Sequence, residues 1–179
     1  SSDFIDPVSG KSSLDMAKEA LHVCRSFVDS FGSKFQNLLI YGNTGVGKTF
    51  LTHCIARELM DHIHSVIYVT SSQLFDILGS REFDTDPEKR QAGALLDECE
   101  LLIIDDLGTE LTNSFTVSQL FICLNDRILQ KKSTIISTNL SLNEIKSIYS
   151  ERTFSRISSN YRLLKLAGDD IRIKKKLMK

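Results

Sequence analysis

A chain of 179 residues, 41% hydrophobic and 25% charged, can enclose one ordinary core with at most a small appendage. No apolar run approaches the roughly 18 residues of a membrane-spanning helix. The four cysteines are widely spaced and form no C-x-x-C pair, which argues against a zinc ribbon or a disulfide framework. The net charge of −1 hides an asymmetry: eleven acids against three bases from Asp76 to Glu110, and ten bases against three acids from Ile145 to Lys179. Such polarity suits head-to-tail self-association or a basic face for nucleic acid, and it also suits an uneven solvated surface. The start, Ser1-Ser2-Asp3-Phe4, lacks both an initiator Met and a leader pattern. The expectation is a fragment or processed form of a cytoplasmic protein, with no membrane contact, in which Cys24, Cys54, Cys99 and Cys123 are buried free thiols.

Residues 1–11 show no periodicity and read as an extended lead-in. Ser12 or Ser13 can cap a helix whose apolar positions are Leu14, Ala17, Leu21, Cys24, Val28 and Phe31, with Gly32 ending it. Phe27, Phe31 and Phe35 read as packing residues around it. A buried strand follows at 37–41, then a Gly-rich loop, then a helix to about Asp61 with Leu51, Cys54, Ile55 and Leu59 on one face. A second strand covers 66–69. The hydroxyl cluster Thr70-Ser71-Ser72 caps a helix carrying Leu74, Phe75 and Leu78. Residues 79–87 read as an irregular charged link before a helix over about 88–98. The third strand, Leu101 to Ile104, leads straight into Asp105-Asp106. A long amphipathic helix spans 114–131 (Val117, Leu120, Phe121, Leu124, Ile128), and a fourth strand spans 134–139. Two short helices capped by Ser141 and Ser150 precede a last strand, 161–166, a turn at Gly168 and a basic tail over 173–179. Continuous apolar strands alternating with helices predict an α/β fold with a parallel sheet covered on both faces. In such a sheet a ligand sits beyond the carboxyl ends of the strands, where the loop, Asp105-Asp106 and Asn139 all fall.

The loop Gly42-Asn43-Thr44-Gly45-Val46-Gly47-Lys48-Thr49 fills G-x-x-x-x-G-K-[ST] between a strand and the helix that Phe50 continues. Glycines let successive N–H groups turn inward, and the helix N-terminus adds partial positive charge, so a polyphosphate is cradled. Lys48 can reach the β- and γ-phosphates, and the Thr49 hydroxyl can ligate Mg²⁺. Asp105 closes four apolar residues and can hold Mg²⁺ opposite Thr49. Asp106 can orient or deprotonate the attacking water, on a shorter side chain than the glutamate many ATPases carry there. The Asn139 amide can contact the γ-phosphate or that water. Arg152 and Arg156 share one face of a short helix, a pattern that also fits an ordinary solvated pair. Lys174, Lys175, Lys176 and Lys179 suit non-specific phosphate contacts or a frayed tail. His22, His53, His62 and His64 offer no metal constellation, and His62 and His64 read as surface residues.

The ordered set Gly42–Thr49, Leu101–Gly108, Thr138-Asn139, Glu151–Ile157 and Gly168–Arg172 resembles the AAA+ ATPase domain of DnaC/DnaI-type helicase loaders, and equally the IstB-type transposition ATPases. The likeness runs from about Phe4 to Arg172. It implies an AAA+ domain over 12–172, with a five-stranded parallel sheet between helices and no C-terminal helical lid. It implies ATP or ADP held by Gly42 to Phe50, a Walker A lysine at Lys48, and Mg²⁺ at Thr49 and Asp105. It further implies a catalytic acid at Asp106, a sensor at Asn139 and an arginine finger at Arg156 acting on a neighbouring subunit, with Arg152 second. No sensor-2 arginine stands out. By the same resemblance the domain binds single-stranded DNA in an ATP-dependent assembly and helps place a replicative helicase, contacted through an N-terminal region missing here. Arg81 and Phe83 match the region where loaders and initiators contact single strands. Arg81 suits a phosphate and Phe83 a base stack; Phe83 equally suits the core, and Glu82, Asp84 and Asp86 oppose DNA. Alternatives from other classes are a P-loop kinase for a small molecule and a binding module that holds ATP without turnover.

Overall fold

The computed structural model describes residues 4–7, 9–83 and 87–168, excluding the side chains of residues 81–83 and 89. Among the described residues five segments form parallel strands: β1 (Asn37–Gly42), β2 (Val66–Thr70), β3 (Leu101–Leu107), β4 (Ser133–Thr138) and β5 (Tyr161–Leu166). Their order is β2-β3-β4-β1-β5, so the strand bearing the Gly-rich loop lies inside the sheet, between β4 and β5. Among the described residues six helices cover it: α1 (Ser13–Asp29), α2 (Lys48–Asp61), α3 (Ser71–Phe83), α4 (Pro87–Glu98), α5 (Ser114–Leu129) and α6 (Leu142–Asn160).

Strand alternation sorts the core into two layers. Leu38, Ile40, Leu101, Ile103 and Ile135 pack on one face against Ala20, Val23 and Phe27 of α1 and Ile55 and Leu59 of α2. Leu39, Leu102, Ile104 and Ile136 pack on the other against Leu74, Leu78, Leu96, Leu120, Leu124, Ile145 and Ile157 of α3 to α6. The central strands are buried on both faces, which is why β1 and β3 carry apolar runs, while β4 buries Ser133, Thr134, Ser137 and Thr138 beside Ile135 and Ile136. Helix starts follow local chemistry. Ser12 caps α1 through Asp15 N, and Asn113 with Thr116 and Ser141 with Glu144 form reciprocal capping boxes on α5 and α6. Ser150, with φ 78° and ψ 157°, kinks α6 into the two helices that the capping serines predict.

Several expectations need correction. The buried stripe of α1 is Met16, Ala20, Val23, Cys24 and Phe27, whereas Leu14 and Leu21 are exposed. On α2, Cys54 is exposed and Thr52 and Ala56 take the inner face. The link after Leu78 is not irregular throughout, because α3 continues to Phe83. The side chains of Arg81 and Phe83 lie outside the described residues, as do residues 169–179 with the basic tail. Among the described residues no helix is long and apolar enough to cross a membrane.

Candidate nucleotide site

Gly42 ends β1, and Gly45 (φ 80°) and Gly47 (φ 100°) turn the chain back into α2. Unlike α1, α5 and α6, α2 begins without a side-chain cap, and unlike α1 and α6 it carries no acid in its first turn. Its orphan N–H groups and its dipole are therefore left to an external anion, which is the polarity a phosphate requires. Lys48 is buried, at 5% exposure, at this mouth. Its ammonium donates to Gly42 O (2.7 Å), Asn43 O (2.8 Å) and Asn139 Oδ1 (2.6 Å). One bond thus joins the loop after β1 to the residue after β4. Thr49 and Phe50 are exposed in the first turn of α2.

Strand parity brings the acid to the same place. Asp105 follows Leu101 and Ile103 on the α2 side of the sheet, and Ser137 follows Ile135 there. The Thr49 hydroxyl lies 3.4 Å from Asp105 Oδ1, and Ser137 Oγ donates a short hydrogen bond to the same oxygen. Asp105 Oδ2 accepts from the Tyr68 hydroxyl at 2.7 Å, and that hydroxyl is 2.9 Å from Thr52 Oγ1. Burial, with Asp105 beside it, pushes the Tyr68 phenol above its ordinary range, so the ring oxygen carries its proton at neutral pH. Among the described residues no three His, Cys, Asp or Glu gather as a metal site. One carboxylate and one hydroxyl nevertheless fit Mg²⁺ that arrives with phosphate oxygens and water.

Asp106 departs from regular strand geometry. Its φ is 55°, and the β3–β4 register shifts between Ile104 and Leu107. Its N–H donates to Ser137 Oγ (3.1 Å), and its carbonyl accepts from Ser71 Oγ (3.1 Å) and Thr109 Oγ1 (2.9 Å). A left-handed non-glycine costs of order 1–3 kcal/mol, and here it is held from three sides. Beyond it, Glu110 accepts from Gly108 N (2.9 Å) and from the buried Tyr149 hydroxyl, which ties this loop to α6. Burial, then the Glu110 carboxylate, raises the Tyr149 phenol too.

The two arginines separate. Arg152 stacks over the Phe121 ring of α5 at 4.5 Å. Arg156, past the kink, is exposed, and among the described residues its guanidinium makes no hydrogen bond or ion pair. Among the described residues neither guanidinium hydrogen-bonds to the loop. The reading from sequence missed Tyr68, Thr52 and Ser137; the available signal was their hydroxyls on the same sheet face as Asp105. It also missed a cavity of about 280 Å³ lined by Asp6, Met16, Tyr41, Leu163 and Lys165, next to the root of the loop.

Known proteins agree with this architecture. The family described as IstB-like ATP binding protein matches residues 13–178. The replicative helicase loader DnaC of Escherichia coli (strain K12) is 23% identical over 138 residues, covering 77% of this chain and 56% of that protein. The replicative helicase loader DnaI of Bacillus subtilis (strain 168) is 29% identical over 150 residues, covering 81% and 46%. The chain thus spans about half the length of these curated relatives. A crystal structure of the DnaC helicase loader superimposes with a TM-score of 0.74 at 24% identity, covering 85% of this chain and 90% of that one. The replication initiator DnaA bound to AMPPCP and single-stranded DNA gives 0.73 at 23%, covering 98% and 56%. Sheet order, loop and strand ends are those of an AAA+ P-loop domain, and the chain belongs to the IstB-like ATP-binding protein family.

Proposed function

We propose that this domain binds ATP with Mg²⁺, hydrolyses it at a site completed by a neighbouring copy, and serves in loading a replicative helicase onto single-stranded DNA. The observation that carries the nucleotide site is the bond from Lys48 to Asn139 beside the Thr49–Asp105 contact. It gathers the ends of β1, β3 and β4 at one uncapped helix N-terminus. Lys48 would exchange its two carbonyls for the β- and γ-phosphates. Thr49 and Asp105 would hold Mg²⁺, which neutralises phosphate charge when bound. Asp106 would orient the attacking water and take its proton, with Asn139 beside the γ-phosphate. The cavity sharing Tyr41 with the loop's root is the place for the base.

Arg156 is exposed and unengaged among the described residues, while Arg152 is occupied by Phe121, so Arg156 is the arginine for a neighbour's phosphates. The relatives named as helicase loaders, and the DnaA structure named with single-stranded DNA, support the replication role. The family's IstB-like description favours, as a second reading, a helper ATPase in transposition. The test is ATP turnover per subunit against protein concentration, with and without single-stranded DNA. A specific rate that climbs with concentration and responds to DNA is expected. A flat, DNA-blind rate would point to a self-contained enzyme such as a kinase, and none at all to a binding module.

A further inference from the structure

Tyr68 belongs to no motif, yet it holds one edge of the carboxylate assigned to Mg²⁺. The terminal torsion of an aspartate is broad, so the plane of its carboxylate has to be set by partners. Asp105, 5% exposed, takes its partners from three elements. Oδ1 meets Ser137 of β4 and Thr49 of α2, and Oδ2 meets Tyr68 of β2. Rotation of the plane moves both oxygens at once and so pulls Oδ2 away from the Tyr68 hydroxyl as it pulls Oδ1 away from Ser137.

Tyr68 is itself well fixed. Its backbone pairs with Ile103 of β3, and the His53 ring stacks on it at 4.4 Å between centroids and 16° between planes. Counting hydrogens settles the direction of the chain. The phenol has one proton and the carboxylate can only accept, so that proton lies toward Asp105. The single Thr52 proton is then shared between Tyr68 Oη (2.9 Å) and Thr49 O (2.9 Å). The first turn of α2, which carries Lys48 and Thr49, is thereby connected to the carboxylate through Thr52 and Tyr68.

We propose that Tyr68 is a positioning residue for the metal site, its hydroxyl setting the rotation of the Asp105 carboxylate while Thr52 sets the hydroxyl. The proposal rests on the assignment of Asp105 to Mg²⁺. Mg²⁺ demands near-ideal octahedral geometry, so an acid free to rotate is a poorer partner.

Tyr68→Phe keeps the ring and its stacking and removes only the oxygen. The measurement is binding of a fluorescent N-methylanthraniloyl derivative of ATP to the whole chain, titrated with Mg²⁺ and repeated in EDTA, with Asp105→Asn alongside. Loss of such an outer partner typically costs ~10–100-fold in metal affinity, and a rise of that size in half-saturating Mg²⁺ is expected for Tyr68→Phe. Binding in EDTA should match the parent. Thr52→Val should shift the Mg²⁺ midpoint the same way by less. A parental midpoint in Tyr68→Phe, with Asp105→Asn shifted, overturns the proposal alone. Equal loss with and without Mg²⁺ marks a merely structural residue and overturns it as well. A parental midpoint in Asp105→Asn removes the Mg²⁺ assignment and the proposal together.

Discussion

Gly42 is where the β1–β5 ladder runs into the phosphate loop, and Gly42→Ala should damage both. Its φ of 145° is rarely adopted by residues with side chains. A Cβ there would lie 1.8 Å from the Leu166 carbonyl oxygen and 2.9 Å from its carbonyl carbon. Close C···O contacts settle at about 3.3 Å, so the end of β5 would have to retreat by roughly 1.5 Å. Leu166 is buried in the α1–α2 layer, which makes that retreat costly. Backbone strain contributes about 1–3 kcal/mol. Each terminal ladder hydrogen bond lost adds about 0.5–1.5 kcal/mol. A total near 3–5 kcal/mol is a large part of the ~5–15 kcal/mol of a typical domain. At about 2–4 °C per kcal/mol the melting point should fall by roughly 6–20 °C. Gly10 is the internal control: its φ is 68°, and no atom of the described residues would lie within 4 Å of a Cβ there. Gly10→Ala should therefore lose only the ~1–2 kcal/mol of a left-handed alanine. Thermal unfolding followed by circular dichroism, with nucleotide binding beside it, separates the two. If Gly42→Ala melts no lower than Gly10→Ala, the closeness of β5 to the loop is refuted.

Other consequences are as direct. Arg127, 4% exposed, has no carboxylate partner among the described residues and donates instead to Thr134 Oγ1 and to the carbonyls of Leu96, Cys99, Glu100 and Ser133. Arg127→Met should lower stability by about 3 kcal/mol or more, since each stranded buried acceptor costs ~1–3 kcal/mol, and urea unfolding would read it. The Lys165 ammonium, 2.6 Å from Asp6, together with Ser9, holds the Asp6 carboxyl below the ordinary carboxylate range. A carboxyl lowered in the folded state adds stability above its unfolded value and loses it as pH falls through the folded one. The stability gap between the parent and Asp6→Asn should accordingly be present at neutral pH and vanish in acid. Cys54 is exposed while Cys24, Cys99 and Cys123 are buried, and burial pushes the Cys24 thiol up to about 11. One thiol per native chain should react rapidly with an aromatic disulfide reagent at neutral pH, and all four in denaturant.

The site was legible where chemistry leaves a side-chain pattern. Gly42, Gly47, Lys48 and Thr49 at fixed spacing located the loop, and Asp105 and Asn139 at strand ends located the rest. The face of α1 was misjudged because two stripes compete at helical spacing, one through Leu14 and Leu21, the other through Met16, Val23 and Phe27. Only packing against β1 and β5 decides between them. Arg127 escaped notice because its partners are mostly backbone carbonyls, which no sequence displays. Tyr68 and Ser137 read as strand residues of no special kind. Their importance depends on the parallel register that sets β2 and β4 on either side of β3. The kink at Ser150 was legible as a cap, whereas the left-handed Asp106 was not, since an Asp-Asp pair closing a strand carries no mark of a bulge.

The central claim, a site shared between neighbouring copies, is tested most directly by mixing two disabled chains. Asp106→Asn retains Arg156 and lacks the acid; Arg156→Ala retains the acid and lacks the arginine. An arginine supplied from a neighbour is worth ~10³–10⁵ in rate, so each chain alone should turn over ATP very slowly. Mixed at concentrations where sedimentation shows assembly, they should recover turnover well above either parent, because some interfaces pair an intact Asp106 with an intact Arg156. A mixture no faster than the average of its parts would contradict the account.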